Sequence, residues 1–246
     1  MIRNSIAIAR REFYAYFSSP VAYIAIFLYL VLLAVTFFFK IPFLLPKEDF
    51  FAEKEASLRA LFEWSLLLFT VFLPAISMRL LAEEKKMGTM EILLTLPVTD
   101  VEVVVGKLFG AVGFLLVALA LTLAYPILLF AIGKPDLGPI LGGYFGVLLV
   151  GMGYLAIGLM ASSFTSSQVV AFLVAIVVCA FLTFVDRIPE ALGIRALEPL
   201  NAMSFSYHFR SIARGVLDTR DIVFFVSIIV AALTIAHYSL SSRRWR

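Results

Sequence analysis

Side chains able to act as nucleophiles, metal ligands or proton carriers are scarce in this chain. It has two histidines, His208 and His237, and one cysteine, Cys179, all far apart. Zinc-protease chemistry needs two histidines one helical turn apart with a glutamate beside the first. Serine-hydrolase chemistry needs the strained G-x-S-x-G turn. Neither pattern occurs. No second histidine, cysteine or carboxylate stands at metal-ligand spacing beside His208, which reads as an interfacial histidine. His237 falls in an apolar run, where an ionisable group is a functional candidate by default. It lies six residues from Arg243, so reaching to the membrane boundary is the simpler account. Cys179 is flanked by apolar residues and reads as a small buried hydrophobe. The closest approach to a phosphate-binding loop is Gly106-Lys107. It lacks the upstream glycine of G-x-x-x-x-G-K-[ST], and Leu108 stands where a magnesium-binding hydroxyl is needed. No catalytic residue, cofactor site or metal site is therefore expected in this chain.

What remains is an apolar frame. The chain has 246 residues, 62% of them hydrophobic and 15% charged, with mean hydropathy +1.02. A soluble domain is about 45–50% apolar and about 25% charged. The excess implies a membrane protein that crosses the bilayer several times. A net charge of +3 and a pI near 9.0 come without a dense Lys/Arg face, so nucleic acid is not an expected partner. The lone cysteine excludes a disulfide within the chain. The first twenty residues lack a continuous apolar core and a small-residue cleavage site, so no signal peptide is expected.

A spanning helix needs about 20 mostly apolar residues. Charge-free runs then place six spans at approximately 21–40, 61–80, 107–132, 137–161, 168–186 and 221–242, all within one transmembrane domain over 1–246. The second is complete only if Glu63 and Arg79 reach the headgroups. Pro126 should kink the third. No charge appears from Leu137 to Val185, a stretch suited to two crossings, and "SSFTSS" at Ser162–Ser167 supplies the polar turn between them. Continuous apolarity without period-two alternation favours helices over a β-barrel. Six spans put both termini on one side. Ten of the twenty Lys and Arg fall on each side of such a map, so the positive-inside rule does not orient it. "RRWR" after span six and Arg10-Arg11 near span one lean toward termini inside.

Between the spans, Ile2, Ile6, Ala9, Phe13 and Phe17 recur at helical spacing with Arg3, Arg10 and Arg11 off the stripe, which predicts an amphipathic helix in the interface ahead of Pro20. Residues 40–60 mix prolines and charges and read as a short helix or a solvated connector outside the membrane. Phe205, Phe209, Ile212 and Val216 form one apolar helical face before span six, with His208, Arg210, Ser211 and Arg214 mostly on other faces. This predicts an interfacial or re-entrant helix ending near Gly215. Gly142 and Gly146 form a G-x-x-x-G in span four, a sign of tight helix packing within or between subunits.

One charged island interrupts this frame: "RLLAEEKKMGTMEILLTLPVTDVEVVVGK", Arg79 to Lys107. Glu83, Glu84, Lys85 and Lys86 end a helix that Gly88 can break. Thr89 is placed to cap a short helix with Glu91 in its first turn and Met90, Leu93 and Leu94 on its apolar side, and Pro97 stops it. Thr99 or Asp100 caps the next helix, with Glu102 early in it. A short amphipathic helix held between two spans suits docking on a soluble partner, or serves as an interfacial linker alone.

The stretch "MRLLAEEKKMGTMEILLTLPVTDVEVVVGKLFGA" strongly resembles the signature region of ABC-2 family transporter permeases. "EFYAYFSSPVAYI" is similar to that family's N-terminal elbow helix, "GLMASSFTSSQVVAF" to its tight cytoplasmic turn, and "SYHFRSIARGVLDTRD" to its extracytoplasmic segment before the last span. "SSRRWR" resembles the C-terminus of the gliding-motility-type branch. The resemblance implies an all-α membrane protein with six spans, an elbow helix, a cytoplasmic coupling helix between spans 2 and 3, and an extracytoplasmic amphipathic or re-entrant helix before span 6. It implies the permease subunit of an ATP-driven transporter in the bacterial inner membrane, with both termini cytoplasmic. It implies further a cytoplasmic ATP-binding subunit that carries ATP and Mg, a second permease copy or paralogue, and a membrane-anchored extracytoplasmic companion. Glu83, Glu84, Gly88, Thr89, Glu91, Leu93, Leu94 and Pro97 are the residues the resemblance assigns to the coupling contact. The residues alone leave open an ion-gradient-driven transporter or a non-transporting scaffold, and they do not name a substrate.

Overall fold

A computed structural model describes residues 2–38, 58–89, 98–133, 135–193 and 195–242. Within them the chain is helical, with no strand, as an all-α membrane protein should be. Helix α1 spans Ile2–Phe17, α2 Pro20–Phe38, α3 Arg59–Ser77, α4 Arg79–Lys86, α5 Asp100–Thr122, α6 Ala124–Ile132 and α7 Leu137–Phe164. Then come α8 Gln168–Phe184, α9 Arg187–Leu192, a 3₁₀ helix Arg195–Met203, α10 Phe205–Ala213 and α11 Thr219–Ser241. Five helical segments are long and apolar enough to cross a membrane: Pro20–Phe38, Arg59–Lys86, Asp100–Ala131, Leu137–Phe164 and Thr219–Ser241. Helix α8, with 17 residues, is the short sixth.

Local chemistry explains several boundaries. Pro20 opens α2, where its missing N–H is no loss. Thr99 and Glu102 form a reciprocal capping box: the Glu102 N–H donates to Thr99 Oγ1 at 3.3 Å and the Thr99 N–H to Glu102 Oε2 at 2.9 Å. Helix α5 consequently begins at Asp100, seven residues before the apolar run that marked span three. The break between α5 and α6 falls at Leu123, three residues ahead of Pro126, because the proline cannot donate to the Thr122 carbonyl. The "SSFTSS" turn is shorter than the sequence reading gave it. Ser162 and Ser163 are buried inside α7 and satisfy their hydroxyls on the Leu159 and Met160 carbonyls. Only Thr165–Ser167 leave the helix.

Helix α7 is the central post. It packs against α3, α4, α5, α8, α10 and α11. Its glycines let neighbours in: Gly143 lies under the Phe62 ring, Gly158 under Ser77, and Gly142 and Gly146 under Ile212 and Phe209 of α10. The Gly142–Gly146 pair therefore serves a contact within the chain. At its middle, Tyr154 Oη lies 2.6 Å from Thr183 Oγ1 and 3.2 Å from Thr70 Oγ1. This knits α3, α7 and α8 through polar groups that lipid could not satisfy.

The α10 face differs from its expected pattern. His208 is buried, with Nδ1 2.6 Å from Asp221 Oδ1 and Nε2 3.0 Å from the Ala202 carbonyl, while its ring stacks on Phe224. Val216, placed on the apolar stripe by spacing, is exposed beyond the Gly215 turn (φ 83°). The helical spacing extends the stripe correctly to Ile212 and fails where the helix ends.

Candidate functional site

The island's described residues sit where α1, α4 and α5 meet. Helix α4 ends at Lys86, and Gly88 adopts φ 72°, a left-handed conformation that glycine takes without strain. The Thr89 hydroxyl donates back to the Glu84 carbonyl at 3.3 Å. Its observed bond thus closes the end of α4. Glu91, Leu93, Leu94 and Pro97 lie outside the described residues.

Glu84 turns inward. Lys107 of α5, only 1% exposed, donates from Nζ to Glu84 Oε1 at 2.8 Å and to Glu12 Oε1 of α1 at 3.0 Å. Arg11 closes the ring, with Nη2 2.8 Å from Glu12 Oε1 and 3.2 Å from Glu84 Oε1. Two cations thus face two carboxylates, joining three helices. A buried ammonium is tolerable only when so paired. Burial pushes the Glu12 carboxyl up, but the Lys107 ammonium and Arg11 guanidinium outweigh it and hold the group below its ordinary value. The hydrogen bond to Glu12 leads the causes that raise Arg11. Sequence reasoning put Glu84 on a docking surface and did not find Glu12, Arg11 or Lys107 as its partners. The one signal was a lysine flanked by apolar residues in "VVVGKLFGA".

Nearby contacts add rigidity. Lys85 Nζ donates to the Ser163 carbonyl at the end of α7, and Ser239 Oγ of α11 donates to the same carbonyl at 2.8 Å. Arg79 lies over the Tyr16 ring at 5.5 Å, and the buried Tyr16 hydroxyl reaches the Ile76 carbonyl at 3.4 Å. Helix α1 packs along α5 through Gly106, Gly110 and Gly113, opposite Ile8, Glu12 and Phe13. The inward side of α1 thus includes Ile8, Glu12 and Tyr16 together with Ala9, Phe13 and Phe17 of the expected stripe, whereas Ile6, also expected on it, is exposed.

Between α1 and α4 lies an open cleft of about 650 Å³ lined by Arg11, Tyr16, Arg79, Glu83, Met87 and Thr89, among others. Its walls are charged and hydroxylated. Among the described residues no group of three or more His, Cys, Asp or Glu could hold a metal ion. The arrangement offers acid and base for salt-bridged docking, and among the described residues of the cleft no nucleophile stands beside a base.

Among curated proteins, none matches the chain. A family model does, over nearly its whole length: the match to the ABC-2 family transporter protein runs from residue 6 to residue 243, and the chain, a multi-pass membrane protein, belongs to that family.

Proposed function

We propose that this chain is the membrane-spanning permease subunit of an ATP-driven transporter, coupled through the island to a separate ATP-binding subunit. The observation that carries the reading is the Lys107–Glu84–Glu12–Arg11 ring built around the buried Lys107 ammonium. It joins α4, which leads into the island, to α1 and to the spanning helix α5. A displacement applied to the island by a partner is then delivered to the spans as a rigid-body movement. ATP and Mg belong to the partner. Glu83, Gly88, Thr89, Glu91, Leu93, Leu94 and Pro97 form the docking side, and Glu84 anchors it from within. Two permease copies, or this chain and a paralogue, line the path. The island and both termini face the cytoplasm of a bacterial inner membrane. The gliding-motility-type resemblance adds a membrane-anchored extracytoplasmic companion.

The test is co-purification of the tagged chain from native membranes in mild detergent, with ATPase activity assayed on the eluate. The parent should bring down an ATP-hydrolysing partner, and Leu93→Asp should lose it while still eluting as a folded monomer or dimer. A folded parent that elutes without ATPase activity would overturn the reading in favour of ion-driven transport or a scaffold.

A further inference from the structure

His208 and Asp221, both buried, stand where α10, α11 and the 3₁₀ helix Arg195–Met203 meet. This is the end of the bundle away from the island, since α11 runs from here to Ser239, which shares the Ser163 carbonyl with Lys85. The imidazole sits between two acceptors, the Asp221 carboxylate 2.6 Å from Nδ1 and the Ala202 carbonyl 3.0 Å from Nε2. A carbonyl oxygen has no proton to give, so Nε2 must carry one. The Nδ1–Oδ1 contact needs a second, on either atom. The pair therefore holds two protons in this arrangement.

With one proton, one of the two contacts must fail. Asp221 has the stronger claim on what remains. Its Oδ2 is buried with no partner among the described residues, and the bond to the carboxylate is charge-assisted. Ala202 is exposed, so water can satisfy its carbonyl instead. The other charged groups on the elements packed against α10 are engaged elsewhere. Asp186 pairs with Arg210, Glu63 with Arg59, and Arg187 lies over the Phe184 ring. Asp218 accepts from the Arg220 N–H at the exposed start of α11, and Arg214 donates to the Arg210 carbonyl. Helices α7 and α8 carry no charge, and the side chains of Arg195 and Glu198 lie outside the described residues.

We propose that His208 and Asp221 form a proton-operated latch on the 3₁₀ helix. With two protons on the pair, the helix is fastened to α10. With one, the ring keeps its N–H on Asp221 and lets Ala202 go. Among the described residues, the His208 bond is the one side-chain hydrogen bond that reaches the 3₁₀ helix. The sign follows: the strap is held in acid and released as the pH rises, in the range where histidine ordinarily changes charge. Helix α10 itself stays in place, because Arg210–Asp186 and the Ser206 hydroxyl on the Thr183 carbonyl hold it in both states.

Hydrogen exchange read by mass spectrometry on the full chain in detergent tests this, from about pH 5 to about pH 9, with each rate divided by its intrinsic chemical rate at that pH. Protection of peptides spanning 195–204 should drop about tenfold across one titration, the loss of one hydrogen bond, while α7 and α10 keep theirs. In Asp221→Asn the amide can donate to Nδ1, so the neutral ring keeps its Nε2–H for Ala202, and protection should stay high across the range. His208→Gln, which has no ring to protonate, should show no transition. Parent protection that does not change with pH would overturn the latch, as would a transition that survives in Asp221→Asn. Loss of protection in α10 together with the 3₁₀ helix would overturn Ala202 as the contact released.

Discussion

Lys107 carries a charge that is almost completely buried. Its ammonium is buried beneath α1 and α4, and its stability rests on Glu12 and Glu84. Removing one partner of a buried pair costs about 3–5 kcal/mol, because the remaining charges stay desolvated. Lys107→Met should therefore lower the melting temperature sharply in detergent. Cys179 offers the readout: it is a free, fully buried thiol, so a thiol-reactive dye should label it only as the chain unfolds. Glu12 also sets a pH dependence. Its folded-state value lies below the ordinary 4.5. Its contribution is thus complete above the ordinary value and lost as the pH falls through the depressed one. The melting temperature should fall on acidification below about pH 4.5, and Glu12→Gln should flatten that part of the curve.

Among the elements, the contact of α1 with α5 depends on the absence of side chains. A Cβ at Gly110 would stand 2.5 Å from Glu12 Cβ and 3.0 Å from the Ala9 carbonyl. Gly110→Val should cost about 1–3 kcal/mol by overpacking and should expose α1 to limited proteolysis. Gly138, which has no atom within 4 Å of its Cβ position, is the control: Gly138→Ala should be neutral or stabilising by up to about 1 kcal/mol. The helices themselves were legible because charge-free runs and cap residues act within one element. The capping box at Thr99 and the break before Pro126 were readable for that reason. Partners across elements were not. Glu12 is 95 residues from Lys107 and His208 is 13 from Asp221, and no periodicity connects them. Glu83, Glu84, Gly88 and Thr89 were recognisable as a helix end, yet nothing local says that Glu84 points inward. Its direction follows from where α5 passes.

For the whole molecule, six helical passages bring residue 2 and residue 242 to the same end. The Ser239–Ser163 and Lys85–Ser163 contacts fix α11, α7 and α4 there. Single cysteines introduced at Asn4 and Ser242 in a Cys179→Ala background should react with an impermeant thiol reagent from one face of the membrane. A cysteine at Pro135 should react from the other. Labelling of all three from one face would contradict the path traced by the helices.

The order of charges along the chain has a consequence for biogenesis. Glu12 and Glu84 are both synthesised before Lys107. When the ribosome delivers the lysine, the two carboxylates that neutralise it are already at the membrane. The nascent chain never has to hold that cation in lipid while waiting for a partner still to be made, and the ring is complete in composition by the time α5 emerges.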